Sequence, residues 1–228
     1  MLISHKNKFI FVHIYKTAGT SITSIFLPHS RLLDRLVFEF VPTRKFFSLI
    51  IKIMNWYDDG QKQFTGVHKH ALAIDILKYL GEKKYYDYYK FVFVRNPYDL
   101  MVSLYFYISQ SKKHVDYNMV STMSFKDFLV WHISKRPPLQ LDFIRHPRTK
   151  EIIVDYIGKF ETLNKDIDNI QEELNLNRAK HLTQLNPSTK RKSKDFRVYY
   201  DEETKKLVKS YFREDLEILG YDFNGIAK

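Results

Sequence analysis

Three short apolar runs frame this chain. Residues 8–14 (KFIFVHI), 90–94 (KFVFV) and 152–157 (IIVDYI) are rich in Phe, Val and Ile and read as buried strands. Between them the apolar positions switch to helical spacing. Ile22, Ile25 and Phe26 suit a helix that begins just after Gly19. Phe46, Phe47, Ile50, Ile51 and Met54 mark a second over 44–56, closed by Asp58-Asp59-Gly60. A third is expected over 71–80, with Gly81 as its C-terminal cap. Pro97 suits the first turn of a helix reaching Ser109. Further helices are expected over 124–133, stopped by Pro137-Pro138, over 163–174, and over 201–220. Strands separated by helices predict an α/β fold, with a mainly parallel central sheet and helices on both faces. No repeat or low-complexity linker divides the chain, so a single domain over 1–228 is expected.

Composition narrows the function classes. With no Cys there is no disulfide framework, thiolate zinc site or cysteine nucleophile. No apolar run approaches the roughly 20 residues needed to cross a bilayer; the longest candidate, 46–54, is cut by Ser48 and Lys52. The N-terminus has no secretory cleavage pattern, so a cytoplasmic protein is expected. The formal charge of +11 predicts partners that carry negative charge.

The segment FVHIYKTAGTS, residues 11–21, places a turn with Gly19 between a strand and a helix. Backbone N–H groups of Thr17, Ala18, Gly19, Thr20 and Ser21 would converge there on an anion, favoured by the helix dipole. Lys16 adds a charge, and Thr20 and Ser21 add hydroxyls. This is no Walker A loop, because Lys precedes the only Gly. Taken alone, an ordinary strand-turn-helix corner explains it equally well. A second segment, 90–108, puts Arg95 at the C-terminal end of a strand, where ligands collect in open α/β sheets. Ser103 lies about two turns into the following helix, and an Arg fork with a hydroxyl suits a terminal phosphate. The competing readings are a structural ion pair for Arg95 and a backbone-bonded serine for Ser103.

Together the two segments resemble the cofactor signatures of sulfotransferases that use 3'-phosphoadenosine 5'-phosphosulfate (PAPS). The closer resemblance is to the carbohydrate branch with the uronyl and heparan sulfate 2-O enzymes and their bacterial relatives. It covers most of the chain, ending with the Tyr-Phe and Gly-Tyr pattern of 211–221. The resemblance implies a P-loop-like three-layer sandwich. It implies that Lys16 through Ser21 grip the 5'-phosphosulfate, and that Arg95 and Ser103 bind the 3'-phosphate. Sulfuryl transfer to a hydroxyl, with adenosine 3',5'-bisphosphate as product and no metal required, is the implied reaction. Lys16 is then the group beside the leaving phosphate oxygen. Two positions depart from the family pattern: Tyr15 stands where Pro is common and Ala18 where Gly is frequent. Ala18 is a conservative change provided its φ is negative, and Tyr15 narrows the loop entrance.

A transferred hydroxyl proton needs a base, and His is the side chain already poised near neutral pH. Among nine histidines, His68 and His70 stand out in TGVHKHALAID, where alternation on an extended strand would put both on one side. A zinc pair is the tempting misreading, because no third ligand type is near. The resembled 2-O enzymes carry a His-x-His at a matching place with the second as base, which implies His70; His68 is the competing choice, and a carboxylate is the remaining one. His13, inside the first strand, reads as a satisfied core histidine. Residues 178–197 hold seven Lys or Arg against Asp195 alone. The family's cofactor-closing loop resembles His181-Leu182 and Leu185-Asn186-Pro187-Ser188 here in stretched form, which implies cofactor contacts from Asn186 and Ser188. The remaining cations would guide an acceptor such as a glycan. Two other classes stay open on the residues: a nucleotide kinase with a variant loop, and a basic nucleic-acid-binding protein. The first lacks a clear metal-holding Asp at a strand end. In the second, Tyr and Phe should interleave with Lys and Arg, whereas here they fall at core spacing.

Overall fold

A computed structural model describes residues 1–30, 68–177, 191 and 193–227. The fold is mixed α/β around a four-stranded, mostly parallel sheet. Strand β1 (Leu2–Ser4) pairs antiparallel with β2 (Phe9–Val12). β2 runs parallel to β3 (Tyr89–Val94), and β3 parallel to β4 (Tyr156–Lys159). The sheet order is therefore β1-β2-β3-β4. β1 has no counterpart in the apolar pattern, because three residues give no period to read. The expected strand at 152–157 is displaced to β4: Ile152 makes only an isolated bridge to Arg145, and it is half exposed. Asp155 sets the new start. Its carboxylate accepts from the Lys90 backbone N–H at 2.7 Å, and its own N–H donates to the Lys90 carbonyl at 2.8 Å.

The helices are α1 (Gly19–Phe26), α2 (Ala73–Leu80), α3 (Glu82–Asp87), α4 (Pro97–Gln110), α5 (Tyr117–Val120), α6 (Phe125–Ser134), α7 (Leu163–Glu173), α8 (Glu202–Tyr211) and α9 (Arg213–Ile218). Side-chain caps explain several starts. Asn96 accepts from the Tyr98 N–H ahead of α4, Ser124 from Asp127 ahead of α6, and Asp201 forms a capping box with Thr204. Gly81 ends α2 at φ 78, as its position predicts. The long helix expected over 201–220 is broken at Phe212, which caps α8 and opens α9. The helix expected over 44–56 lies outside the described residues. A hairpin of β5 (Tyr221–Asp222) and β6 (Gly225–Ile226) follows α9. No helix among the described residues is long and apolar enough to cross a membrane.

Alternation along β2 and β3 sorts the core into two chemically different clusters. Phe9, Phe11, Phe91 and Phe93 cluster with Ile22, Ile25 and Phe26 of α1 and with Leu163, Ile167 and Ile170 of α7. Ile10, Val12, Val92 and Val94 cluster with residues of α2, α4, α6, α8 and α9. Phe93 faces Gly158 of β4, where any Cβ would press on its ring. Each of these buried Phe side chains contributes about 1.5–3 kcal/mol. A stiff sheet results, and the C-terminal ends of its three parallel strands open onto one edge. The chemistry-bearing residues gather at that edge.

Candidate active site

β2 ends at Val12, and α1 begins at Gly19. In between, Lys16 and Ala18 both have left-handed backbone, at φ 62 and 63. The expectation of a negative φ at Ala18 is therefore overturned. An L-residue there costs roughly 1–2 kcal/mol, so the turn must be held from outside. Three hydrogen bonds hold it. Thr17, fully buried, donates from Oγ1 to the Ile14 carbonyl at 2.9 Å. Arg95 Nη1 donates to the Lys16 carbonyl at 3.0 Å, and the Ile22 N–H reaches the Ala18 carbonyl at 3.0 Å.

α1 has no side-chain cap, so its first-turn N–H groups lack intrahelical acceptors. Thr23 and Ser24 bond back to the carbonyls of Gly19 and Ser21, both at 2.7 Å. The hydroxyls of Thr20 and Ser21 make no such bond among the described residues. An uncapped helix start with two spare hydroxyls and a lysine has the geometry of an anion cradle.

Lys16 Nζ lies 4.2 Å from the centre of the Tyr107 ring. Burial, and then the neighbouring Arg95, bring its pKa down to about 8. Arg95 is itself buried and held on several sides. Nε and Nη2 meet Asp99 Oδ2 at 2.8 and 2.6 Å, and the guanidinium stacks 3.9 Å from the Phe160 ring centre. Asp99 Oδ1 pairs with Arg191 at 2.8 Å. Gln140 clamps the Arg95 backbone, accepting from its N–H at 2.9 Å and donating to its carbonyl at 2.8 Å. Gln140 and Leu141 in turn donate their N–H groups to the buried Asp215, whose pKa burial raises to about 6. So Arg95 serves as a structural anchor of the loop, whatever it binds. Ser103, half buried on α4, does not bond back to its own helix and makes no hydrogen bond among the described residues.

The two histidines do meet, though not on a strand. Residues 68–71 form a turn closed by the Ala71 N–H on the His68 carbonyl at 3.0 Å, and the rings stand 6.0 Å apart. His70 Nδ1 lies 2.9 Å from the His13 carbonyl. A carbonyl can only accept, so Nδ1 carries the proton and Nε2 of the neutral ring keeps its lone pair. Burial pulls the His70 pKa down to about 4; the His13 hydrogen bond opposes this, and the Met1 amine, Lys69 and His68 add to it. The exposed His68 accepts the His70 N–H on Nδ1 at 3.1 Å, which leaves the proton of its neutral ring on Nε2. The Tyr15 ring meets those of His70 at 6.5 Å and Phe143 at 5.9 Å, both edge to face, forming a wall beside His70.

A model of the Sulfotransferase family matches residues 1–222, a span that takes in the loop, the Arg95 segment and the histidine turn. This chain belongs to the sulfotransferase family. No curated protein and no solved structure matches it. The sulfotransferase is thus an enzyme that moves a sulfuryl group to a hydroxyl acceptor. Among its described residues there is no cluster of three or more His, Cys, Asp or Glu placed to hold a metal ion.

Sequence reasoning overlooked several groups that shape this sulfotransferase's site. Asp99 was readable as the i+4 partner of Arg95. Tyr107 stands one turn beyond Ser103, on a helix whose pattern already pointed there. Gln140 and Asp215 carry no local signal, because they act across separations of 45 and 75 residues. His13 is buried as expected, but its ring makes no hydrogen bond among the described residues. Asn186 and Ser188 lie outside the described residues.

Proposed function

We propose that this sulfotransferase takes its sulfuryl group from PAPS and transfers it in line to a hydroxyl of a carbohydrate, with His70 as general base. The observation that carries the reading is the hydrogen bond from His70 Nδ1 to the His13 carbonyl, which fixes the basic lone pair on Nε2. With its pKa drawn down to about 4, His70 stays neutral and able to accept a proton at physiological pH. The acceptor's hydroxyl proton passes to Nε2 as its oxygen bonds to sulfur. When bound, PAPS supplies the sulfuryl group, and the bond from sulfur to the bridging phosphate oxygen breaks to leave adenosine 3',5'-bisphosphate. Lys16, held over Tyr107, meets the negative charge that builds on that oxygen.

The residues present fit such a donor. The uncapped α1 start with Thr20 and Ser21 suits the 5' end, and the spare Ser103 hydroxyl, one turn beyond Asp99 on α4, suits the 3'-phosphate together with Arg95. Arg95 retains N–H groups beyond those on Asp99 and Lys16, so it can serve both as anchor and as ligand. The P-loop-like three-layer architecture belongs to the same reading. The deciding experiment has two parts. Adenosine 3',5'-bisphosphate should raise the melting temperature, while ATP and an oligonucleotide should not. Labelled PAPS should then mark at least one member of a glycan panel. A melting shift with ATP alone would transfer the case to a kinase.

A further inference from the structure

Under the anion cradle lies one ring that touches everything else. His13 leaves β2 with its imidazole stacked on Phe11 at 5.6 Å and packed against His70 at 4.5 Å. Its other neighbour is Gly19, the first residue of α1, where any Cβ would overlap the His13 imidazole. Gly19 has no positive φ, so its backbone would accept alanine, and the three atoms nearest to such a Cβ all belong to the His13 ring. The His13 carbonyl meanwhile fixes the proton on His70. One residue therefore supports the phosphate loop with its side chain and the base with its backbone.

We infer that His13 is a positioning residue, a wedge that sets the start of α1 and the ring of His70 in one fixed relation. Its placement explains why a polar ring that makes no hydrogen bond among the described residues is nonetheless buried between loop and base. A shift of the Gly19 backbone has to move the His13 ring, and the ring has His70 on its far side. The start of α1 and the His70 ring are thereby coupled through His13. Only the word base rests on the sulfuryl-transfer reading; the coupling itself does not.

The test is a double-mutant cycle of Gly19→Ala and His13→Ala, read by melting temperature, by adenosine 3',5'-bisphosphate titration and by ¹⁵N spectra of the His70 imidazole. Gly19→Ala alone should weaken ligand binding by about a hundredfold, near the upper end of coupling between residues in contact. On the His13→Ala background the same change should cost less than about threefold, since the space is then open. The His70 spectrum of ligand-free Gly19→Ala should depart from the single Nδ1–H form, and the double variant should match His13→Ala. If Gly19→Ala does not fold, folding of the double variant supports the wedge. A double variant that stays unfolded while His13→Ala folds overturns it. So does an equal Gly19→Ala penalty on both backgrounds, or an unchanged His70 spectrum. Should wild type fail to bind the bisphosphate, the proposed donor falls, while the melting and spectral arms still decide the role of His13.

Discussion

The anion cradle and the histidine turn both meet His13 but are built in opposite ways. The cradle is tied down by Thr17, Arg95 and the α1 backbone, and its left-handed residues make sense only because of those ties. Its chemistry lies in main-chain N–H groups that no side-chain substitution removes. The histidine turn has the reverse character. In the proposed reaction its chemistry lies in one side-chain lone pair, and the ring is oriented by a hydrogen bond to the His13 carbonyl. Binding should therefore be robust to side-chain loss, and turnover should not.

The largest break in that comparison is His70→Ala, which should cut turnover by about 10²–10⁴ while adenosine 3',5'-bisphosphate binds as before in calorimetry. A His70→Asn variant should fare no better, since an amide cannot take the proton. Parallel losses of binding and turnover would mean that His70 supports the cradle instead. Next comes Lys16→Ala. Turnover should fall on the order of 10²–10³, with a much smaller loss in affinity, because the main-chain donors remain. Near-normal turnover at saturating PAPS would remove Lys16 from the chemistry.

Ser103→Ala sharpens the contrast at lower cost. Its hydroxyl has no structural bond to lose, so the variant should melt as wild type does. Affinity for adenosine 3',5'-bisphosphate should drop by about 1.5 kcal/mol, the scale of a hydrogen bond to a charged group, and affinity for adenosine 5'-phosphate should hold. Equal losses for both ligands would place Ser103 away from the 3'-phosphate.

The smallest effect is in the pH dependence of kcat/KM. His70 must be neutral to act, and its pKa is lowered, so the acid limb should fall through about pH 4 rather than near 6.5. Lys16 must be charged, so the alkaline limb should fall through about pH 8. The rate should be halved at each point, with a plateau between. An acid limb near 6.5 would indicate a base more exposed to water than His70.

The same contrast decides what could be read from the sequence. The cradle was legible because strand, turn, Gly19 and helix lie within a dozen residues, and a short-range pattern carries short-range geometry. Even there the sign of φ at Ala18 was not, since it depends on Arg95 and Thr17 pulling on the turn. The histidines were legible as a pair, but their turn depends on contact with a strand 57 residues earlier. The core strands Phe9–Val12 and Tyr89–Val94 were plain, whereas the edge strand Tyr156–Lys159 was misplaced. A half-buried edge gives a weaker apolar signal than the neighbouring Ile152-Ile153-Val154, so composition pointed four residues too early.

The Gln140 clamp and the hairpin tie have a consequence for the order in which the molecule is made. Arg95 is steadied by Gln140, which hangs on Asp215, and Asn96 donates to the carbonyls of Asp222 and Gly225. On the ribosome, residue 96 and its partner at 225 are 129 residues apart, on the order of ten seconds of synthesis. For all that time the Arg95 segment lacks its more distant braces. The nascent chain thus carries the loop with its local bonds alone, and the full bracing of Arg95 and Asn96 arrives only once the hairpin has been made.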